Sequence, residues 1–227
     1  MHEEKHFESP NIVKDIVIGM ADGLTVPFAL AAGLSGVVPG NGIIITAGMA
    51  EIIAGSIAMG LGGYLAGKTE RDHYFSELKR EYDEVEHVPD REKAEIRDIM
   101  ATYGITPTTQ HLVTEELALN KDKWVDFMMK FELGLEEPAK MRAAQSARNI
   151  AFSYIAGGFI PLSAYFFTTE PTDGLMVSAV ITTLALLVFG YFKSKVTGQP
   201  PIKGALSTAA IGAIAASAAF LIAKQFE

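Results

Sequence analysis

Apolar positions fall into five long, nearly uncharged stretches, and a single polar block separates the second from the third. A membrane-crossing helix needs about 20 mostly apolar residues. Five segments reach that length: about Ile12 to Val37, Ile43 to Gly67, Asn149 to Thr169, Gly174 to Phe192 and Gly204 to Ala223. The signals S-G-V-V-P-G-N-G, T-E-P-T-D-G and K-S-K-V-T-G-Q-P-P-I-K-G mark breaks between neighbouring spans.

After Gly67 the unbroken apolarity gives way to a helical period. Tyr74, Phe75, Leu78, Tyr82 and Val85 recur among charges, and no Gly or Pro intervenes before Pro89. The spacing predicts one helix from about Ile43 to Val88, roughly 70 Å long and about twice the hydrocarbon thickness, so that its second half forms a stalk. Shorter helices are expected at Asp90 to Tyr103, ended by Gly104, at Thr108 to Leu119, and at Lys121 to Leu133, ended by Gly134. Ile96, Ile99, Leu112, Leu117, Trp124, Phe127 and Phe131 are the candidate core of this block. The predicted fold is an all-α integral membrane protein of five transmembrane helices with a helical insert between helices 2 and 3. It divides the chain into residues 1–67, 68–138 and 139–227.

Charge sharpens this picture. The chain has 227 residues and a net charge of -8, most of its charged side chains lying between residues 68 and 148. Basic flanks favour the cytosol. Lys5 and Lys14, the insert, and the loop with Lys193, Lys195 and Lys203 fall on one side of a five-span topology, while Lys224 goes against the pattern. The amino terminus and insert are therefore expected in the cytosol and the carboxyl terminus in the lumen. No basic stretch with a cleavage site precedes the first apolar segment, which reads as a span and not as a removable signal. The lack of cysteine excludes a disulfide framework and thiolate metal sites. An acidic chain with no basic aromatic patch gives no reason to expect nucleic acid.

Between Ile16 and Gly67 the only charged residues are Asp22 and Glu51. A carboxylate in hydrocarbon costs a few kcal/mol or more and ordinarily faces a cavity that handles ions or protons. The alternative is a protonated carboxyl bonded to a neighbouring helix. Helical rise puts Asp22 roughly 10 Å, Met59 roughly 13 Å and Glu51 roughly 25 Å from the cytosolic edge. Pro27 leaves the carbonyl of Gly23 without its helical donor, beside Asp22. Carboxylate oxygens suit hard cations, and a thioether adds preference for softer transition metals; Fe²⁺ is the leading cargo, with Mn²⁺, Co²⁺ and Zn²⁺ open. Loading a cation onto carboxyl groups releases protons, which is the chemical basis of antiport.

The insert repeats these ligand types. Glu81 and Glu84, Glu92 and Glu95, and Met128 and Glu132 each share a helical face. Spacing alone leaves a solvated acidic surface as the ordinary reading of them. Glu84 and His87 make an E-x-x-H, but a di-iron carboxylate bundle needs two such motifs with further glutamates on separate helices. The small residues Ala54, Ala58, Gly62 and Ala66, and Ala29 with Gly33, are spaced for close helix contact within or between subunits.

The stretches D-G-L-T-V-P-F-A-L-A-A-G-L-S-G (Asp22 to Gly36) and A-E-I-I-A-G-S-I-A-M-G-L-G-G-Y-L-A (Ala50 to Ala66) resemble the first two spans of the vacuolar iron transporter family, plant members included. The resemblance implies a homodimer in the vacuolar membrane that exchanges cytosolic Fe²⁺ for protons. It implies no permanently bound cofactor. It matches Asp22, Glu51 and Met59 to membrane metal and proton residues. Glu81, Glu84, Glu92, Glu95, Met128 and Glu132 match a cytosolic metal-binding domain, which reverses the acidic-surface reading. The competing functions are a membrane-anchored di-iron ferroxidase and a metal sensor anchored in the bilayer.

Overall fold

The computed structural model describes residues 10–225, and all regular structure among them is helical. The helices are α1 (Pro10–Ser35), α2 (Asn41–His87), α3 (Pro89–Thr102), α4 (Pro107–Ala118), α5 (Lys121–Phe131), α6 (Arg142–Ser163), α7 (Pro171–Val196) and α8 (Pro201–Ala223), with a 3-10 turn at Ala164–Phe166. They form two compact units. One holds the described residues up to Leu65 and those from Ala143 onward; the other is Ala66–Arg142. The α2 helix contributes residues to both. Lys5, one of the basic residues used above for orientation, lies outside the described residues.

In the first unit α6 lies against α1 on one flank and α2 on the other, and glycine makes both approaches close. A methyl group on Gly23 would fall 2.9 Å from the Cα of Tyr154, and one on Gly157 would fall 3.0 Å from the backbone of Gly23 and Leu24. Gly19 meets Ile150. These contacts ascend together, so α1 and α6 are parallel. On the other flank Gly48 meets Leu162, Gly55 meets Tyr154 and Gly63 meets Ile150, a descending series that makes α2 antiparallel to α6. Gly190, Gly204 and Gly212 bring α7 and α8 together in the same manner. The turn after α1 is latched by polar groups: the hydroxyls of Ser35 and Tyr165 are 2.8 Å apart, and Asn41 Nδ2 donates to the Thr168 carbonyl at 2.7 Å.

Four described helices, α1, α2, α7 and α8, are long and apolar enough to cross a membrane. The expected third span, Asn149 to Thr169, is placed differently. Its helix α6 starts earlier, at Arg142, takes in Arg148 and Asn149, and ends at Ser163, so the polar first turns dilute the apolar stretch.

The second unit packs α3, α4 and α5 with residues 66–87 of α2. Prolines open α3 and α4, where a missing N–H costs no hydrogen bond. Asn120 caps α5 by accepting from the Lys123 N–H at 3.1 Å. Gly104 (φ +74°) and Gly134 (φ +64°) follow α3 and α5 in the left-handed region, as expected of helix stops. The core is Val85, Ile96, Met100, Trp124, Val125, Met128 and Met129, with Leu117 and Phe127 packed against it. Two predicted core residues turn outward instead: Leu112 is 66 % and Phe131 49 % exposed. The interior positions on α4 are the polar Gln110 and Thr114, whose burial a hydrophobic period does not reveal.

Candidate functional site

Each unit gathers carboxylates. In the second, Glu81 and Glu84 come from α2, Glu92 and Glu95 from α3, and Glu132 from the residue that caps α5. One oxygen each from Glu81, Glu92 and Glu132 lie within 4.8 Å of one another. Glu84 and Glu95 are near enough to act electrostatically on this trio. Glu81 and Glu92 are each only 1 % exposed. Glu81 Oε2 and both oxygens of Glu92 have no hydrogen-bond partner among the described residues.

Buried carboxylates without donors are expensive. The cost is met by holding protons: burial first, then the neighbouring glutamates, pushes Glu81 and Glu92 up to about 7. Burial, with Glu95 and Glu84, also raises Glu132. Cations stand at the rim. Arg80 reaches Glu77 at 2.8 Å and Glu84 at 3.6 Å, and Arg91 pairs with Glu95 at 3.0 Å. A divalent cation among three oxygens would replace the protons and fill the vacant acceptor positions, so the donor set fits a metal. Met128, grouped with Glu132 by spacing, is fully buried among Val85, Ile96 and Trp124, one helical turn before Glu132. His87 Nδ1 lies 2.7 Å from the Asp83 carbonyl, a bond within its own helix.

In the first unit Asp22, Glu51 and Met59 are all half-buried. A residue that the sequence does not single out stands near both carboxylates. Tyr154 of α6 donates its hydroxyl to Glu51 Oε1, and both Glu51 and Asp22 lie in electrostatic range of its phenol. Glu51 Oε2 is buried and has no hydrogen-bond partner among the described residues. Gly55 leaves room for the ring, since a methyl group there would collide with the Tyr154 hydroxyl. Counting helical rise had separated Asp22 and Glu51 by roughly 15 Å in depth. Tyr154 touches both helices, because Gly23 lets α1 rest on its backbone while its side chain extends to Glu51 on α2. The sequence held a signal for this: Tyr154 is a polar aromatic in the apolar part of α6, opposite a glycine-rich stretch. Near the start of α6, Asp15 is buried and accepts from Ser146 Oγ at 2.9 Å. Met59 precedes Gly60, which faces Ala147 and Ala151 of α6.

Comparison with known proteins adds a finding of a different kind. Residues 13–224 match the VIT family. The chain is 53 % identical over 226 residues to "Vacuolar iron transporter 1" of Tulipa gesneriana, covering 100 % of this chain and 92 % of that protein. It is 54 % identical to "Vacuolar iron transporter 1" of Arabidopsis thaliana, covering 98 % of this chain and 89 % of that one. Against "Protein CCC1" of Saccharomyces cerevisiae the identity is 37 %, over 95 % of this chain and 69 % of the yeast protein.

Proposed function

The chain belongs to the VIT family, and from that premise we propose that it carries Fe²⁺ from the cytosol into the vacuole in exchange for protons. The relatives are named as transporters, in keeping with a chain that is not an enzyme. The observation that carries the proposal is the pairing of Glu51 with Tyr154 next to Asp22, inside helices otherwise apolar. A span kept only as an anchor gains nothing from two carboxylates and a phenol.

In this mechanism Asp22, Glu51 and Met59 form the membrane pathway. The carboxyl groups exchange protons for metal, and the Met59 thioether favours Fe²⁺ and Co²⁺ over Mn²⁺. Glu81, Glu92 and Glu132, with Glu84, Glu95 and the neighbouring Met128, bind the cation on the cytosolic side, Zn²⁺, Co²⁺ and Mn²⁺ included. The vacant oxygens of Glu81 and Glu92 support this. The amino terminus and the insert, residues 68–138, are cytosolic and the carboxyl terminus is lumenal. The α6 helix serves as the third of five spans, supported by its close packing along α1 and α2. The functional form is a homodimer; the exposed small positions Ala54, Ala58 and Gly62 on α2, unpacked within one chain, supply a face for it.

The test is Fe²⁺ flux into proteoliposomes with and without a pH gradient. Uptake should accelerate when the lumen is the more acidic side and collapse when the gradient is dissipated. Flux indifferent to the gradient would remove proton coupling. Replacing Glu81, Glu84, Glu92 and Glu95 with Ala should lower the number of cations bound per chain and reduce flux without ending it.

A further inference from the structure

Between α1, α7 and α8 runs an apolar groove of about 510 Å³, whose lining includes Phe28, Ala32, Ala179, Ala213, Ala216 and Phe220. Phe28, Ala32 and Ala216 are buried and make its floor. Its extent is set by the residues at its ends. Ala213 to Leu221 on α8, and Leu175 to Thr183 on α7, each cover about 12 Å at 1.5 Å per residue. One leaflet of a hydrocarbon core roughly 30 Å thick is about 15 Å deep. All the lining residues come from the last part of α1, the first part of α7 and the last part of α8, so the groove belongs to one end of the bundle. Gly33 and Gly36 close it at that end: a methyl group on Gly33 would fall 3.3 Å from the Ala219 carbonyl, and one on Gly36 3.2 Å from the Phe220 ring.

At the mouth stands a cation. Lys224 is one turn beyond Phe220, exposed, with its ammonium 5.6 Å from the Phe220 ring centre. The neighbouring turns 34–43 and 164–174 contain no Lys or Arg, so Lys224 is the basic residue that departs from the charge pattern of the flanks. An apolar slot one leaflet deep with a lysine at its rim has the form of a lipid site: methylenes below, phosphate above. A packed helix is a poorer occupant, since a rod about 10 Å across needs roughly 900 Å³ over the same length.

We propose that the groove holds an acyl chain of one anionic phospholipid, with the headgroup phosphate on Lys224. The proposal requires only that α1, α7 and α8 lie in lipid, and it is independent of the cargo. The bound chain fills the space between α1 and the α7–α8 pair, and so stabilises the contact of the Asp22-bearing helix with its neighbours.

The experiment uses the full chain, delipidated in mild detergent and re-exposed to equal amounts of phosphatidylglycerol and phosphatidylcholine, with bound lipid counted by native mass spectrometry. The wild type should retain one phospholipid per chain and prefer phosphatidylglycerol. Lys224→Gln should keep the lipid but lose about fivefold in that preference, the worth of one basic residue near an anionic surface. Ala213→Phe and Ala179→Leu narrow the groove from an exposed and a half-buried position, and should release the lipid with helical content and oligomeric state unchanged. The proposal is overturned if the wild type retains no lipid, if Lys224→Gln keeps the full preference, or if both filled variants still hold the lipid. A filled variant that changes oligomeric state instead assigns the groove to a second copy and overturns it as well.

Discussion

Glu92→Gln tests whether the buried carboxyl cluster is a proton store that a metal displaces. Glu92 and Glu81 hold their protons to about pH 7 when folded, against an ordinary value of 4.5. Below 4.5 both states are protonated and nothing is lost. As pH rises toward 7 the unfolded chain has already released its protons and the native one has not, so native stability falls. Between pH 6 and pH 8 each glutamate lowers the opening free energy by about 1.4 kcal/mol, or tenfold in the opening equilibrium. Two together approach about a hundredfold. The glutamine is nearly isosteric and cannot ionise; it removes one titration, and it relieves Glu81 of a neighbouring charge. The fall in Glu92→Gln should therefore shrink to less than about tenfold. Hydrogen exchange of the full chain reads this from the amides of α3 at pH 6 and pH 8 in chelator, corrected for intrinsic exchange rates. A divalent transition metal at pH 8 should restore protection in the wild type and not in the variant. Equal wild-type protection at the two pH values, or an undiminished fall in Glu92→Gln, would refute the reasoning.

Other expectations address the membrane unit. Asp22→Ala should abolish proton-coupled metal uptake while the protein still folds, and wild-type flux in a well-folded variant would remove Asp22 from the pathway. Tyr154→Phe leaves Glu51 without its donor and should lower stability by about 1–3 kcal/mol in thermal unfolding. Glu51→Gln retains an oxygen acceptor for Tyr154, so it should unfold near the wild-type temperature yet lose proton coupling. Met59→Leu keeps the volume within a packing cost below about 1.5 kcal/mol and deletes the sulfur, so Fe²⁺ and Co²⁺ flux should fall more than Mn²⁺ flux in competition assays; unchanged ratios would make Met59 packing alone. Gly23→Leu has no space against the Tyr154 backbone and should cut the yield of folded protein, as detected by size-exclusion elution.

The helices of the insert were legible because proline and glycine punctuate them: Pro89 and Pro107 open α3 and α4, and Gly104 and Gly134 follow α3 and α5. Those signals are local. The bounds of α6, Arg142–Ser163 in place of the expected Asn149 to Thr169, were not legible, since a hydropathy window does not register that a helix continues through polar residues whose side chains find partners on α1, as Ser146 does on Asp15. Helical spacing groups the glutamates in pairs, but their convergence depends on how α2, α3 and α5 pack. Tyr154 escaped notice for the same reason: a lone tyrosine in a span is ordinary until Gly55 and Glu51 are found opposite its hydroxyl.

The glycine contacts have a consequence for movement. Where backbones touch at Gly23 and Gly157, and again where Gly60 faces the Ala147 carbonyl, no layer of long side chains exists to shear. The α1, α6 and α2 segments of the membrane unit are thus welded into one body, as α7 and α8 are into another. Asp22, Glu51 and Met59 all ride on the first body, so their mutual spacing is held by its packing. If these residues form the proposed pathway, their access changes by motion of α7 and α8 along α1, where the structure leaves a 510 Å³ gap, or by motion against a second copy of the chain.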